Sequence, residues 1–249
     1  MARATVLGRL SWRPGEVVAA WDETPTVRSL VLYVDGWPGH EAGQHVDLRV
    51  TADDGYQALR SYSIASAPEQ DTLVVTVERI DDGEVSPYLV EEMDVGDQCE
   101  VRGPIGGYFV WHHGLGGPLL LVAGGSGVVP LMAMLRHHRA SGAAVPVRLL
   151  YSARSLDEVI YREELDRLGA QPEVDVIYTL TRQQPPGWAG HRRRVDAELL
   201  AEVAWPAADR PAAYVCGPTG FVETVARSLV ELGHDPDTIR TERFGPTGS

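Results

Sequence analysis

The hydrophobic pattern of this chain changes between residues 110 and 118, and no single sheet architecture accommodates both halves. Before the change, short apolar runs alternate with turns rich in Gly, Pro and Asp, as is typical of an antiparallel barrel or sandwich. A helical insertion is predicted over 86–92, where Ser86 suits the N-cap position and Pro87 the first turn. The strand-like runs are 26–34, 44–50, 61–65, 73–80 and 99–103.

After the change, each apolar strand-like run is followed by an amphipathic helical one. Such alternation predicts a parallel sheet covered by helices on both faces, as in nucleotide-binding domains. We therefore divide the chain into a first domain at 1–110, a linker at 111–117 and a second domain at 118–249. The strand and helix pairs are 119–123 with 128–139, 147–152 with 156–168, 174–179 with 196–203, and 213–216 with 221–232.

Composition argues against several partners. The net charge of −13, from 35 acidic and 22 basic residues, disfavours nucleic acid and anionic membrane surfaces, and the run 192–194 of three arginines is interpreted as a solvated turn. Cys99 and Cys216 are too few for a thiolate-held iron-sulfur cluster, and the adjacent histidine pairs predict no metal site. With no spanning segment or signal peptide in the sequence, a cytoplasmic location is expected.

Arg60-Ser61-Tyr62-Ser63 carries side chains suited to a flavin. In an extended strand, Arg60 and Tyr62 share one face, and the two serines share the other. A guanidinium can make a forked contact with a pyrophosphate, an aromatic ring can lie on an isoalloxazine, and a serine can hydrogen-bond a ring nitrogen. The same residues also suit an ordinary strand, so the flavin interpretation depends on the rest of the chain.

A glycine-rich turn follows the first strand of the second half. Gly124-Gly125-Ser126-Gly127 lies between that strand and a helix with Pro130 in its first turn. Glycines let backbone amides approach a phosphate, and the helix N-terminus adds partial positive charge. Cys216-Gly217-Pro218 ends the last predicted strand, where ligands bind open α/β sheets. Taken alone, each motif is weak evidence for a nucleotide site.

Together, these motifs give the chain a recognisable order. It resembles the ferredoxin-NADP reductase superfamily, and within it the reductase modules of bacterial oxygenase systems, without the fused ferredoxin domain of many members. The resemblance implies a six-stranded antiparallel Greek-key β-barrel that binds FAD, followed by a Rossmann-like α/β domain that binds NAD(P). The motifs that carry it, with Arg60-Ser61-Tyr62-Ser63, are 83–89, 103–109, 124–130, 216–218 and 242–245.

The resemblance also implies residue roles on the flavin side. Arg60 would anchor the flavin phosphate, Tyr62 would pack on the ring and Ser63 would hydrogen-bond near N5. Phe244 would cover the flavin until nicotinamide displaces it, and Glu242 could hydrogen-bond in the same cleft. The remaining predicted FAD contacts are Ser61, Val77, Gly83, Val85 and Ser86.

On the nucleotide side, the resemblance implies three groups of residues. The pyrophosphate would be held by Gly124, Gly125, Ser126, Gly127 and Pro130, and the nicotinamide bordered by Cys216, Gly217 and Pro218. Arg154, Thr181 and Arg182 would meet a 2'-phosphate, and Tyr161 would lie near the adenine. Ser63, Cys216 and Phe244 are the predicted catalytic residues.

The implied function is that of an FAD-dependent NAD(P)H oxidoreductase. Hydride passes from nicotinamide to flavin, and electrons then leave to a separate redox protein such as a ferredoxin or an oxygenase. FAD is expected rather than FMN, and NADPH rather than NADH. Two alternatives stay open: a free-standing flavin or ferric reductase with a small-molecule acceptor, and a non-catalytic electron-transfer or redox-sensing subunit of a complex.

Overall fold

The computed structural model describes residues 10–52 and 54–245, which form two sheets. The first sheet contains β1 (Arg13–Thr24), β2 (Val27–Val34), β3 (His45–Thr51), β4 (Gln57–Ser63), β5 (Leu73–Glu78) and β6 (Gln98–Ile105). These strands pair antiparallel in the order β4-β3-β6-β1-β2-β5, and a bridge between Ile64 and Val75 joins the two edges. The predicted antiparallel barrel is thus confirmed.

Alternating side chains of the barrel strands fill its interior. Leu30 and Leu32 of β2, Val46 of β3, and Val75 and Val77 of β5 are buried in one apolar cluster. Burying such a side chain fully stabilises the fold by about 1.5–3 kcal/mol relative to leaving it in water. The period-2 pattern therefore determines which face of each strand points inward, and hence which face carries the polar residues.

The strand β1, with 12 residues, was not predicted from the sequence. Its apolar alternation is interrupted, because the pairing with β2 shifts register between Val17 and Ala19 and again between Asp22 and Thr24. The strand β4 also begins at Gln57, earlier than the predicted start at Ser61. Its first residues are mostly exposed, so they lack the apolar pattern of a strand with a buried face.

The helical insertion predicted over 86–92 is helical over those residues: Ser86 and Pro87 are followed by a five-residue π-helical turn, Tyr88–Glu92. Ser86 is not its N-cap, so that prediction is wrong: the Ser86 hydroxyl instead accepts a hydrogen bond from the Ile80 backbone N–H at 3.0 Å. The Gly83 N–H donates to the Ile80 carbonyl at 2.8 Å. These bonds give the loop between β5 and the π-helical turn a compact shape.

The second sheet is parallel, as the alternating pattern predicts. Its strands are β7 (Leu119–Gly124), β8 (Val147–Ala153), β9 (Val174–Leu180), β10 (Ala212–Pro218) and β11 (Ile239–Phe244), in the order β11-β10-β7-β8-β9. Four helices cover it: α1 (Val128–Ser141), α2 (Arg162–Gly169), α3 (Ala197–Val203) and α4 (Thr219–Glu231). Leu119 and Leu121 pack with α1 and α2, whereas Leu120 and Val122 pack with α3 and α4.

Two features of this half differ from the sequence interpretation. The helix predicted over 156–168 begins only at Arg162, because Tyr161 before it adopts a left-handed φ of 59° that a continuous α-helix does not allow. The terminal strand β11 was not predicted. It pairs with β10 so that Cys216 is opposite Glu242 and Pro218 is opposite Phe244.

The two sheets are packed against each other through shared apolar and polar contacts. Trp111, between β6 and β7, is buried, and the Tyr214 hydroxyl donates to the Val110 carbonyl at 2.6 Å. Arg136 of α1 donates to the Ala65 carbonyl of the barrel at 2.8 Å. No helix among residues 10–52 and 54–245 has the length and apolar character needed to cross a bilayer.

Candidate functional site

A cleft of about 650 Å³ opens between the barrel and the carboxyl ends of four parallel strands. After β7, the next strands, β8 and β9, are added on one side of β7. β10 and β11 are then added on its other side, so the order of the strands changes direction between β7 and β10. Such switch points are where open α/β sheets bind ligands. The strand ends β7, β8 and β10 contribute Gly124, Arg154 and Pro218, and the barrel contributes Thr26 and Glu78.

A second cleft, of about 640 Å³, lies beside Trp21, Arg136 and Tyr161. Its lining comes from the β1–β2 hairpin, the segment before α2, and α2 itself, and among the described residues no glycine turn or parallel strand end reaches it. Its volume is similar. Seven of the residues predicted from the sequence line the first cleft: Gly124, Gly125, Ser126, Arg154, Thr181, Pro218 and Phe244. Tyr161 lines the second cleft, and the predicted barrel residues Arg60 to Ser63 line neither.

The glycine turn after β7 has a steric reason for each of its glycines. A Cβ at Gly127 would overlap the Cys216 carbonyl oxygen, a Cβ at Gly124 would come 2.9 Å from the Phe221 ring, and Gly125 has a φ of 56°. The backbone of this turn therefore lies close to β10 and α4. Gly124, Gly125 and Ser126 line the cleft, as expected for a backbone that meets a pyrophosphate.

Gly127 and Pro130 lie deeper than the predicted pyrophosphate contact requires. Gly127 is buried against β10, and Pro130 is buried within α1. Neither residue lines the cleft. Their close packing lets α1 approach the sheet, and the first three residues of the turn then face the cleft.

Cys216 is 1% exposed at the end of β10. Burial raises the pKa of its thiol well above the usual value, with a smaller contribution from nearby Glu242. A neutral, buried thiol is not a nucleophile at physiological pH, so Cys216 can only act by shape and contact. Gly217 is also closely packed, because an added Cβ would lie 2.8 Å from the Phe221 ring and 3.2 Å from the Gly124 carbonyl oxygen. Pro218 lines the cleft.

A hydrogen bond crosses the domain boundary beside Cys216. The Ser63 hydroxyl at the end of β4 donates to Glu242 Oε1 at 3.3 Å. Burial raises the pKa of the Glu242 carboxyl to about 7, and the bond from Ser63 partly offsets that rise. Ser63, Glu242 and Cys216 therefore lie close together at the boundary between the barrel and the parallel sheet.

The other three residues of the Arg60-Ser61-Tyr62-Ser63 motif differ in how accessible they are to a cofactor. Tyr62 is half-buried against the barrel core, and burial raises the pKa of its phenol. Arg60 is exposed and forms an ion pair with Glu84 at 3.0 Å. Ser61 points to the opposite face, where its hydroxyl donates to Asp47 at 2.6 Å. Its side chain is therefore committed to the barrel, and only its backbone remains available for the predicted cofactor contact.

Val77 and Val85 are fully buried in the barrel core. The whole residues have no exposed surface, so neither their side chains nor their backbone offers the predicted cofactor contact. Gly83 and Ser86 are joined in the same loop, where a Cβ on Gly83 would come 2.9 Å from the Ser86 hydroxyl oxygen. A residue with a side chain at Gly83 would therefore disturb the loop.

The predicted 2'-phosphate residues are not all brought together. Arg154 and Thr181 line the cleft, but Arg182, next to Thr181, does not. Arg194, which the sequence analysis placed in a solvated turn, does line it. A bridge between Thr179 and His191 brings the segment containing Arg194 back along β9. Glu158 also lines the cleft, 3.8 Å from Arg154, and limits the positive charge there.

The predicted adenine contact of Tyr161 is wrong. Tyr161 is 4% exposed, its hydroxyl donates to Thr76 of the barrel, and the Arg136 guanidinium lies 4.9 Å from its ring centroid. Tyr161 does not line the cleft that contains the other predicted nucleotide residues, so its ring does not reach a nucleotide bound there. The backbone at Tyr161 is left-handed, and the side chain lies in the domain interface against Thr76.

Phe244, at the end of β11, is half-buried and lines the cleft with Phe221 of α4. It packs on the same apolar cluster as Cys216. Phe244 was predicted from the sequence as a site residue, whereas Glu242 was predicted only to hydrogen-bond in the cleft and Arg194 was predicted to lie in a solvated turn. The alternation of β11 was the signal for Glu242, since a strand that carries Phe244 at the cleft also brings Glu242 to that end of the sheet.

The described residues fit two dinucleotides by geometry. Gly124 and Gly127 leave no room for a Cβ, and Gly124, Gly125 and Ser126 line the cleft, which suits a pyrophosphate. Across the boundary, Arg60 and Tyr62 offer a guanidinium and a half-exposed ring on one face of β4. No group of three or more metal-ligating side chains occurs within the described part of the chain.

Comparison with known proteins gives two family matches. Residues 31–110 match the oxidoreductase FAD-binding domain, and residues 121–227 match the oxidoreductase NAD-binding domain. The chain is 36% identical over 212 residues to ferredoxin–NADP reductase B of Sorangium cellulosum, covering 82% of this chain and 85% of the relative. The match to the glycine betaine monooxygenase reductase subunit of Chromohalobacter salexigens is 32% identical and covers 82% of this chain but only 56% of the relative.

Solved structures share the fold over nearly the whole chain. The FAD/NAD-binding domain of nitric oxide dioxygenase from Vibrio cholerae superposes with a TM-score of 0.84 at 28% identity, covering 94% of this chain and 99% of the other. A ferredoxin NADP+ reductase from Neisseria gonorrhoeae with bound FAD and NADP has a TM-score of 0.80 at 21% identity, which shows the fold alone.

Proposed function

Because this chain belongs to the ferredoxin-NADP reductase superfamily of FAD- and NAD-binding oxidoreductases, we propose that it oxidises NADPH and delivers the electrons to a separate redox protein. A bound FAD accepts a hydride from nicotinamide and can release electrons one at a time. The chain spans about half the length of the glycine betaine monooxygenase reductase subunit that it matches. We therefore propose the separate redox protein as electron acceptor for this chain and do not take it from that relative.

The bond between Ser63 and Glu242 carries this proposal. It joins the end of the barrel motif to the end of β11, next to the Cys216 backbone. In our proposal, Ser63 orients the flavin edge, and Cys216 with Phe244 positions the nicotinamide by packing. These residues hold and orient; none of them needs to act as a nucleophile, in agreement with the raised thiol pKa of Cys216.

Flavin binding is assigned to the barrel. Arg60 would hold the phosphate portion, Tyr62 would lie on the ring, and the loop from Gly83 to Ser86 would approach the cofactor through its backbone. The exposed guanidinium of Arg60 and the half-exposed ring of Tyr62 support these roles. The domain boundary is assigned to 111–117, which agrees with the interval between β6 and β7.

The choice of NADPH over NADH rests on charge at the cleft. Arg154 and Arg194 line it beside Thr181, and guanidinium groups bind a 2'-phosphate through charge-assisted hydrogen bonds. Glu158 opposes this preference, since a carboxylate suits a free 2'-hydroxyl. We also propose a cytoplasmic location, because NADPH and its recycling enzymes are found there.

The function is tested by purifying the full chain, recording its visible spectrum with FAD, and measuring turnover with ferricyanide for NADPH and NADH. We expect a yellow protein that turns over faster with NADPH. Bound FAD with no turnover would support the non-catalytic subunit instead. Faster reduction of free flavin or ferric chelates than of any ferredoxin or oxygenase component would support the small-molecule reductase.

A further inference from the structure

Arg60, the residue to which we assign the flavin phosphate, already has an anionic partner. Its Nη2 donates to Glu84 Oε2 at 3.0 Å, and its Nη1 donates to the Leu59 carbonyl at 2.7 Å. A phosphate that approaches the same guanidinium needs those donors in a forked arrangement. The carboxylate of Glu84 therefore occupies a donor that the phosphate would use.

Glu84 is held in this position from two further directions. The Tyr56 hydroxyl donates to Glu84 Oε1 at 3.3 Å, so both carboxylate oxygens are engaged. The loop around Glu84 is fixed by the bonds from Gly83 to Ile80 and from Ile80 to Ser86. Because the backbone before and after Glu84 is tied in this way, the carboxylate stays within reach of Arg60.

The ion pair is exposed enough for a ligand to displace it. The Arg60 side chain is 51% exposed and that of Glu84 is 57% exposed. Exposed pairs of this kind contribute little, so a pyrophosphate with more than one negative charge can replace the carboxylate. After displacement, Glu84 remains near the phosphate as a like charge, which weakens the bound state.

On this basis we propose that Glu84 is an intramolecular competitor of the flavin phosphate for Arg60. The inference rests on the proposed flavin site. Glu84 lowers the affinity of the chain for phosphate-bearing flavins and makes that affinity dependent on salt, because both the competition and the residual repulsion are electrostatic. The isoalloxazine ring itself is not affected by Glu84.

The test compares the full chain with Glu84→Gln by fluorescence titration with FAD and with riboflavin, which has no phosphate. We expect Glu84→Gln to lower the FAD dissociation constant about fivefold at low salt, with a smaller gain at high salt and no change for riboflavin. Tyr56→Phe should give a gain in the same direction, since it releases one carboxylate oxygen.

The control is Glu92→Gln, which removes the same charge from an exposed residue of the π-helical turn. It should leave FAD binding unchanged. Equal or weaker FAD binding by Glu84→Gln, or an equal gain for riboflavin, would overturn the inference while leaving the flavoprotein function intact. If neither the wild type nor any of the variants binds FAD, the proposed function itself is wrong.

Discussion

The Ser63 hydroxyl donates to the Glu242 carboxylate at 3.3 Å across the boundary between the two domains. Ser63 is the last residue of β4, and Glu242 lies near the end of β11 opposite Cys216. A barrel strand and a parallel-sheet strand thus end at the same point. That geometry explains how one short motif in the first half acts together with residues about 150 or more positions later.

The first prediction concerns pH. Burial raises the pKa of Glu242 from 4.5 to about 7, so the unfolded chain ionises this carboxyl at a lower pH than the folded chain. The stability that the neutral carboxyl contributes is complete below its unfolded pKa and is lost as pH rises toward 7. When the pH is raised from about 5 to about 8, the free energy of unfolding should fall by about 2 kcal/mol less in Glu242→Gln than in the wild type.

Urea unfolding at both pH values measures that difference. Glu231→Gln, on the exposed side of α4, is a matched change of charge and should behave like the wild type. Identical pH slopes for wild type and Glu242→Gln would show that Glu242 titrates normally.

A second prediction concerns Ser63. Ser63→Ala should slow reduction of the bound flavin by NADPH about tenfold, because an orienting hydrogen bond at the proposed transfer site is lost. Ser141→Ala at the end of α1 removes a similar hydroxyl away from the cleft, where it bonds the His138 carbonyl, and should have no effect. Rapid-mixing absorbance measures both. A rate unchanged by Ser63→Ala would remove Ser63 from the transfer step.

Thirdly, the glycine turn should not tolerate a side chain at its third glycine. A Cβ at Gly127 would overlap the Cys216 carbonyl, so we expect Gly127→Ala to destabilise the fold by about 3 kcal/mol. At Gly220, in the first turn of α4, an added Cβ meets no atom within 4 Å, so Gly220→Ala should keep the stability of the wild type or raise it. Equal losses for both variants in chemical denaturation would contradict the packing argument.

A fourth prediction separates the arginines of the second domain. Arg154→Ala and Arg194→Ala should each raise the Michaelis constant for NADPH about tenfold with little change for NADH, because each removes a charged donor from the cleft. Arg182→Ala should leave both constants unchanged, since Arg182 does not line the cleft. A larger effect at Arg182 than at Arg194 would restore the assignment made from sequence.

Local sequence patterns predicted the parts of the site that depend on neighbouring residues. The turn Gly124–Gly127 and the barrel motif were located because their chemistry lies within four consecutive residues. Arg194 and Tyr161 were misplaced because their positions depend on tertiary structure. Arg194 reaches the cleft through the bridge between Thr179 and His191, and the side chain of Tyr161 is directed into the domain interface by its left-handed backbone.

The fold was predictable to a similar extent. Continuous apolar strands such as Leu119–Gly124 stand out in the sequence, because both faces are buried. By contrast, β1 has register shifts and β11 has only one buried residue, Ile239. Strands of this kind are stabilised by pairing with their neighbours, which a single sequence does not reveal.

The most direct test of the proposed reaction is anaerobic mixing of the FAD-loaded full chain with NADPH, followed through the visible absorbance of the flavin. We expect rapid and complete loss of that absorbance with about one equivalent of NADPH, and a slower loss with NADH. An FAD that stays bound but oxidised with both nucleotides would contradict the hydride-transfer site that we propose at Ser63, Cys216 and Glu242.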